Sequence, residues 1–163
     1  MSAKTEQVIN EVRKVIHGKD DVIKMVLAAV LAGGHVLLED IPGVGKTTMA
    51  MAFAKALSMD YRRMQFTPDV MPGDLSGFNM YDKATGSFKY VEGAVFTNLF
   101  LADEINRTSP KTQSALLEVM EEQRVTVEGV SRDLPKPFFV IATEAPRVPA
   151  GPFYGMPFYR VSR

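Results

Sequence analysis

Apolar side chains recur along this chain with two spacings, and the change from one to the other marks out the elements. Val8, Ile9, Val12, Val15 and Ile16 fall three and four apart, which predicts an amphipathic helix that stops at Gly18. Asp20 or Asp21 is placed to cap a second helix, with Val22, Ile23, Val26, Leu27, Val30 and Leu31 on its apolar face and Gly33-Gly34 at its end. Val36-Leu37-Leu38 is then a short unbroken apolar run, the pattern of a parallel strand covered on both faces. A Pro/Gly loop follows, and a helix is expected from about Thr47 to Leu57. Arg62–Phe66 reads as a second strand. Phe78–Tyr81 and Phe88–Val91 flank Asp82-Lys83-Ala84-Thr85-Gly86 as a hairpin. Leu99-Phe100-Leu101-Ala102 is a buried strand ending in Asp103-Glu104, and Ser109-Pro110 opens a helix that buries Ala115, Leu116, Val119 and Met120. Val125 and Val127 precede a turn near Gly129, and Phe138-Phe139-Val140-Ile141-Ala142 is a fourth core strand. Strands alternating with helices predict an α/β protein with a mostly parallel sheet.

Composition narrows the chemistry. The 163 residues suit one domain, and 46% hydrophobic with 23% charged residues is the balance of an ordinary globular chain. Lys+Arg and Asp+Glu are both 19, so there is no net basic field to hold nucleic acid or an anionic membrane. Arg62-Arg63 is an adjacent basic pair that reads as a solvated strand end. Cysteine is absent, which excludes disulfides, thiolate nucleophiles and Cys-based metal sites, and two histidines are too few for a histidine-rich one. Met25–Ala32, the longest apolar run, is far short of the ~20 residues of a membrane span, and the N-terminus has no apolar signal region, so the expected compartment is the cytoplasm.

Candidate chemistry concentrates at two places. Pro42-Gly43-Val44-Gly45-Lys46-Thr47-Thr48 lies between a predicted strand and a predicted helix, the context that makes a phosphate-binding loop of such a run. Its glycines let successive backbone N–H groups curl around a β-phosphate, and the following helix points its positive end there. Lys46 then reaches the β- and γ-phosphates and the Thr47 hydroxyl is a ligand for Mg²⁺. The strict pattern has glycine where Asp40 stands, and a Gly-rich surface turn is the alternative. Asp103 falls at the carboxyl end of a strand, where ligands bind in open α/β sheets. It is expected in the Mg²⁺ shell, with Glu104 orienting or deprotonating the attacking water. Two charged residues closing a strand are the plainer alternative. An acidic pair favours water over a substrate hydroxyl as acceptor, which argues against a kinase.

Taken together, the segments resemble the AAA+ ATPases and, within them, the MoxR family, from about Ile16 to Thr143. The specific matches are Gly33–Asp40 with the loop behind it, Gln65-Phe66-Thr67-Pro68-Asp69, Leu101–Arg107, Pro110–Glu118 and Phe138–Thr143. Asp40 is similar to a variant frequent in that family. The resemblance implies a P-loop NTPase core, with helices on both faces of the sheet and a hairpin insertion in the second helix, at about 68–98. It also implies ATP with Mg²⁺, ring homo-oligomers that are usually hexamers, and remodelling work in the maturation of protein complexes beside von Willebrand factor A domain proteins. Gly18 matches the adenine-side stretch Ile16-His17-Gly18-Lys19, although a helix stop explains it equally well. Phe78, Tyr81, Phe88 and Tyr90 either engage partners or pack the hairpin; ten methionines, Met64, Met71 and Met80 among them, either form an adaptable face or fill the core.

The tail departs from the pattern. Thr143-Glu144-Ala145-Pro146 has alanine where the family has its sensor asparagine, and a methyl group cannot hydrogen-bond water. An arginine finger, worth about 10³–10⁵ in turnover, and the helical lid are not recognisable. Arg160 reads as a charge on a solvated tail. Unless Phe158–Val161 fills the place of the fifth strand, Val36-Leu37-Leu38 is left as a sheet edge. The expected organisation is therefore an N-terminal helix and adenine-side segment at 1–20, a nucleotide-binding core at 21–146 and a divergent tail at 147–163, a truncated core without its lid. Two functions follow: an ATPase core of a remodeller, or a nucleotide-binding interaction module with little hydrolysis.

Overall fold

A computed structural model of the protein describes residues 2–39, 45–145 and 158–161. In chain order its elements are α1 (Ala3–Arg13), α2 (Asp20–Leu31), β1 (His35–Leu38), α3 (Lys46–Ala56), β2 (Tyr61–Gln65), α4 (Pro72–Ser76), β3 (Gly77–Asp82) and β4 (Ser87–Glu92). Then come β5 (Leu99–Asp103), a short 3₁₀ turn (Ile105–Arg107), α5 (Pro110–Glu122), β6 (Arg124–Val127), β7 (Val130–Asp133), β8 (Phe139–Thr143) and β9 (Phe158–Val161).

Five strands form one parallel sheet in the order β2-β5-β8-β1-β9. Its central strands are largely apolar because alternate side chains enter two different cores. Val36, Leu38, Leu99, Leu101, Phe139 and Ile141 pack with Ile9, Val12, Ile23, Val26, Met49 and Phe53 of α1, α2 and α3. Leu37, Phe100, Ala102, Val140 and Ala142 face the other way, onto Leu116, Val119 and Met120 of α5 and onto Phe66 and Leu75. Among the described residues, no helix is long and apolar enough to cross a membrane.

The first helix ends a turn earlier than its apolar spacing predicts. It closes at Arg13, and Ile16 is buried by the turn beyond it, whose N–H bonds to the Val12 carbonyl at 2.9 Å. Asp20 does not cap α2. Its carboxylate is held by Arg13 through Nε at 2.9 Å and Nη2 at 2.6 Å, which ties the end of α1 to the start of α2. The turn near Gly129 is a full hairpin: Glu128 and Gly129 both have positive φ, 50° and 79°, as a two-residue type I′ turn requires, so β7 joins β6.

β9 takes the place beside β1 that the sequence left conditional. It pairs in parallel with β1, so β1 is flanked on both sides and β9 and β2 are the margins. Arg160 is exposed, as a solvated charge would be, but it does not lie on a loose tail: it sits in β9, level with Leu37, and pairs with the Glu39 carboxylate.

Between β2 and β5 the chain makes an excursion built from α4 and the β3–β4 hairpin. Its ends are sewn together: the Ala94 N–H donates to the Asp74 carbonyl at 2.9 Å and the Val95 N–H to that of Leu75 at 3.3 Å. The four hairpin aromatics divide. Tyr90 is half-buried, with its hydroxyl on the Ser76 carbonyl and the Arg132 guanidinium 3.6 Å above its ring. Phe78, Tyr81 and Phe88 are exposed, although Tyr81 and Phe88 meet edge to face at 5.5 Å.

Candidate functional site

The parallel register puts three strand ends at one margin of the sheet. Ala102 is level with Ala142, and Leu38 with Thr143, so Asp103 stands beside Thr143 with the end of β1 on its other side, about 10 Å or two strand spacings away. Seven residues separate Leu38 from the start of α3. Gly45 is its N-cap, with its carbonyl accepting the Met49 N–H at 2.7 Å; Lys46 is the first helical residue, Lys46 and Thr47 are half-buried, and Thr48 is exposed. Asp40, Pro42, Gly43 and Val44 lie outside the described residues. Gly18 sits between α1 and α2 with φ +72° and no neighbour that a Cβ would meet, so its backbone angle, not crowding, favours glycine there.

At the acidic pair, five residues, Arg63, Asp103, Thr143, Glu104 and Gln65, close a ring of hydrogen bonds through their side chains and the backbone N–H of Glu104. Arg63 approaches Oδ2 of Asp103 with Nη2 at 2.7 Å and Nε at 3.2 Å. The other oxygen, Oδ1, accepts the hydroxyl proton of Thr143 at 2.5 Å. That same hydroxyl oxygen accepts the backbone N–H of Glu104 at 2.9 Å. Glu104 adopts a left-handed conformation, φ 57° and ψ 48°, which bends the chain out of β5. Its Oε2 then accepts Gln65 Nε2 at 2.9 Å and Arg107 Nη1 at 3.1 Å. Gln65 Oε1 accepts Arg63 Nη2 at 3.1 Å, and the ring is complete. Two carboxylates thus face two guanidinium groups, and the bond to Asp103 is the chief reason the Arg63 pKa rises above its ordinary value.

This placement follows from strand alternation. Tyr61, Arg63 and Gln65 share one face of β2, and Gln65 is directly level with Asp103 across the pair. Arg62 points to the other face, where its Nη1 donates to the Gly93 carbonyl at 3.1 Å. Arg62 and Arg63 are both exposed, as a solvated pair would be, but they lie within β2 rather than at its end and each has a hydrogen-bonding partner. Arg63, Gln65 and Thr143 are site neighbours that the motif analysis did not single out. Their signal was the two-residue period of β2 together with the requirement that an acid at a strand end have partners.

Ala145 lies where the chain leaves β8. Its N–H donates to Oδ1 of Asn106 at 2.7 Å, and its carbonyl accepts Nδ2 of the same side chain at 3.1 Å. The carboxamide of Asn106 pairs with the backbone of Ala145 as another peptide would, locking the exit of β8 to the turn after Glu104.

The two residues expected from the sequence to hold a metal, Asp103 and Thr47, could offer it a carboxylate and a hydroxyl oxygen, and among the described residues no group of three His, Cys, Asp or Glu side chains gathers. One carboxylate and one hydroxyl suit Mg²⁺, which keeps its waters and shares phosphate oxygens, better than a cation that demands a protein cage.

Comparison with known proteins gives a consistent picture. Residues 35–162 match the family model described as ATPase family associated with various cellular activities (AAA). The chain is 54% identical over 138 residues to the uncharacterized protein YeaC of Bacillus subtilis, covering 85% of this chain and 43% of that one. To the chaperone MoxR1 of Mycobacterium tuberculosis it is 44% identical over 141 residues, 86% of this chain and 37% of the relative. A crystal structure of a candidate ATPase from Cytophaga hutchinsonii superposes with a TM-score of 0.84 at 39% identity, covering 98% of this chain and 50% of that one. The chain thus spans half or less of the length of these relatives.

Proposed function

The chain belongs to the MoxR family of AAA+ ATPases, and from that premise we propose that it binds ATP with Mg²⁺ and hydrolyses it as the motor core of a cytoplasmic protein remodeller. The observation that supports the reading is the Asp103–Glu104 pair at the end of β5, level with Thr143 at the end of β8, in a chain whose Gly45-Lys46-Thr47 run starts the helix that follows β1. The core runs through residues 21–146 with its excursion at about 68–98, preceded by the adenine-side segment 1–20, and β9 of the 147–163 tail supplies the fifth strand.

In this reading Pro42, Gly43, Val44 and Gly45 present backbone N–H groups to the phosphates, with Thr48 behind them and Gly18 on the base side. Lys46 extends its ammonium to the β- and γ-oxygens. Thr47 and Asp103 hold Mg²⁺, which neutralises charge on the phosphate oxygens when bound. Glu104 orients the attacking water and takes its proton, its carboxylate held in place by Gln65 and Arg107. Assembly is proposed as a homo-oligomeric ring, with a von Willebrand factor A domain protein as a partner class and a maturing protein complex as client.

A second reading, a nucleotide-binding module with little turnover, is favoured by one observation. Ala145 offers the site only its backbone, and both polar groups of that backbone are engaged by Asn106. Steady-state ATP turnover measured over a wide range of protein concentration separates the two. The motor reading expects turnover per subunit to rise with concentration and to fall roughly 10²-fold or more in both Lys46→Ala and Glu104→Gln. Retained ATP binding with turnover at the Lys46→Ala level throughout would establish the binding module instead.

A further inference from the structure

Arg63 is the feature of this margin for which the proposed chemistry has no use. Its guanidinium is permanently charged and makes two bonds to one oxygen of Asp103, while Thr143 takes the other oxygen. Each oxygen of the one carboxylate expected beside Mg²⁺ is therefore already engaged within the chain, one of them by a full positive charge. The two partners differ in their exposure. The Asp103 side chain is 16% exposed and fixed at the sheet margin, whereas that of Arg63 is 44% exposed on β2, the sheet's outermost strand on that side. The guanidinium is thus the member of the pair with solvent beside it, on the side from which it could turn away.

We propose that Arg63 is a built-in counter-cation of Asp103 that competes with the divalent metal, and so sets how tightly metal and nucleotide binding are linked. The inference rests on the reading of Asp103 as a metal-side residue. A divalent cation near Asp103 meets both repulsion from the guanidinium and competition for Oδ2, and it binds fully only when Arg63 turns outward. That movement also releases Gln65 Oε1 from Arg63 Nη2, whereas the Gln65 Nε2 and Arg107 Nη1 bonds to Glu104 do not involve the Arg63 guanidinium. Arg63 would act by withholding the metal site at low divalent concentration, without touching the phosphates.

Removing the guanidinium should strengthen the linkage. The measurement is the affinity of a fluorescent ADP analogue in Mg²⁺ and in EDTA, and the ratio of the two dissociation constants is the readout. In Arg63→Gln the ratio of the dissociation constant in EDTA to that in Mg²⁺ is expected to rise by roughly two- to fivefold, the scale of a partly exposed ion pair, with Arg63→Lys in between. Arg63→Lys also keeps a charge on β2, so it reports the effect should the glutamine variant fail to fold. An unchanged or smaller ratio in the variants would overturn the proposal, because Arg63 would then be a support that holds Asp103 in place. Asp103→Asn separates this from the underlying reading. A ratio that collapses to about one in Asp103→Asn keeps Asp103 as the metal-side residue whatever Arg63 does, whereas a ratio it leaves untouched removes the premise along with the proposal.

Discussion

His35 opens β1 and spends both ring nitrogens on the backbone. Nδ1 accepts the Val140 N–H at 2.9 Å, so Nε2 carries the proton and donates it to the Met120 carbonyl at 3.2 Å. The side chain is 3% exposed and lies edge-on to Phe138, with ring centres 6.0 Å apart. A second proton would have to sit on Nδ1, directly facing another N–H, inside a region that disfavours charge. Burial accordingly lowers the His35 pKa below its usual 6.5, against a smaller opposing effect of the Met120 bond. As pH falls, the unfolded chain takes up this proton before the folded one does, so the contribution of His35 is complete above about pH 6.5 and is lost progressively below it. The urea midpoint is expected to decline through that window, and His35→Gln should flatten this part of the profile. A wild-type midpoint that stays level from pH ~7.5 to ~5.5 would contradict the tautomer and burial argument. Thr143 shows the same economy at the other end of the neighbouring strand, where one hydroxyl serves both the Asp103 carboxylate and the Glu104 N–H.

At the scale of elements, the excursion between β2 and β5 stands or falls on how closely its two ends approach. A Cβ on Gly93 would overlap the Leu75 carbonyl and the Gly77 nitrogen, backbone atoms that cannot move aside singly. Gly93→Ala should therefore push α4 and β4 apart, weaken the Ala94–Asp74 and Val95–Leu75 bonds and cost about 1–3 kcal/mol. The readout is the urea midpoint together with faster proteolysis of the hairpin; a midpoint within ~0.5 kcal/mol of the parent would sink the argument. This closure was not legible in the sequence, where Gly93 is one more glycine in a region rich in turn residues. What was legible had a periodic or a chemical signature. The apolar runs of β1, β5 and β8 announce strands buried on both faces, and Ser109-Pro110 announces the start of α5, where the Ser109 hydroxyl accepts the Thr112 N–H. The end of α1 and the fate of Asp20 were not, because an ion pair with Arg13 competed with a cap. Arg63 escaped for a related reason. On an edge strand its charge looks solvated until β5 is placed alongside, and only then does Asp103 appear beside it.

For the molecule as a whole, the two cores are held apart and held level by one sheet, and the strand that leads toward α3 lies inside it. β1 is supported by β8 on one side and on the other by β9, a four-residue strand more than a hundred residues further along the chain. That support is apolar as well as hydrogen-bonded, since Val161 is 2% exposed and packs in the same core as α1, α2 and α3. A carboxylate in its place has no described partner in that core, and a buried unpaired charge is among the few single changes that cost several kcal/mol. Val161→Asp is expected to lower stability by roughly 3 kcal/mol or more and to weaken ATP binding with it, because freeing one side of β1 loosens the strand that precedes the proposed phosphate-binding loop. Phe88→Ser is the contrasting change: Phe88 is 72% exposed at the far end of the hairpin, and its loss should leave both quantities within about 0.5 kcal/mol of the parent. Urea unfolding and nucleotide titration on the two variants test the distinction. If Val161→Asp lost stability yet bound ATP with undiminished affinity, β9 would be a passive cover for the sheet and the site would depend only on β5, β8 and α3.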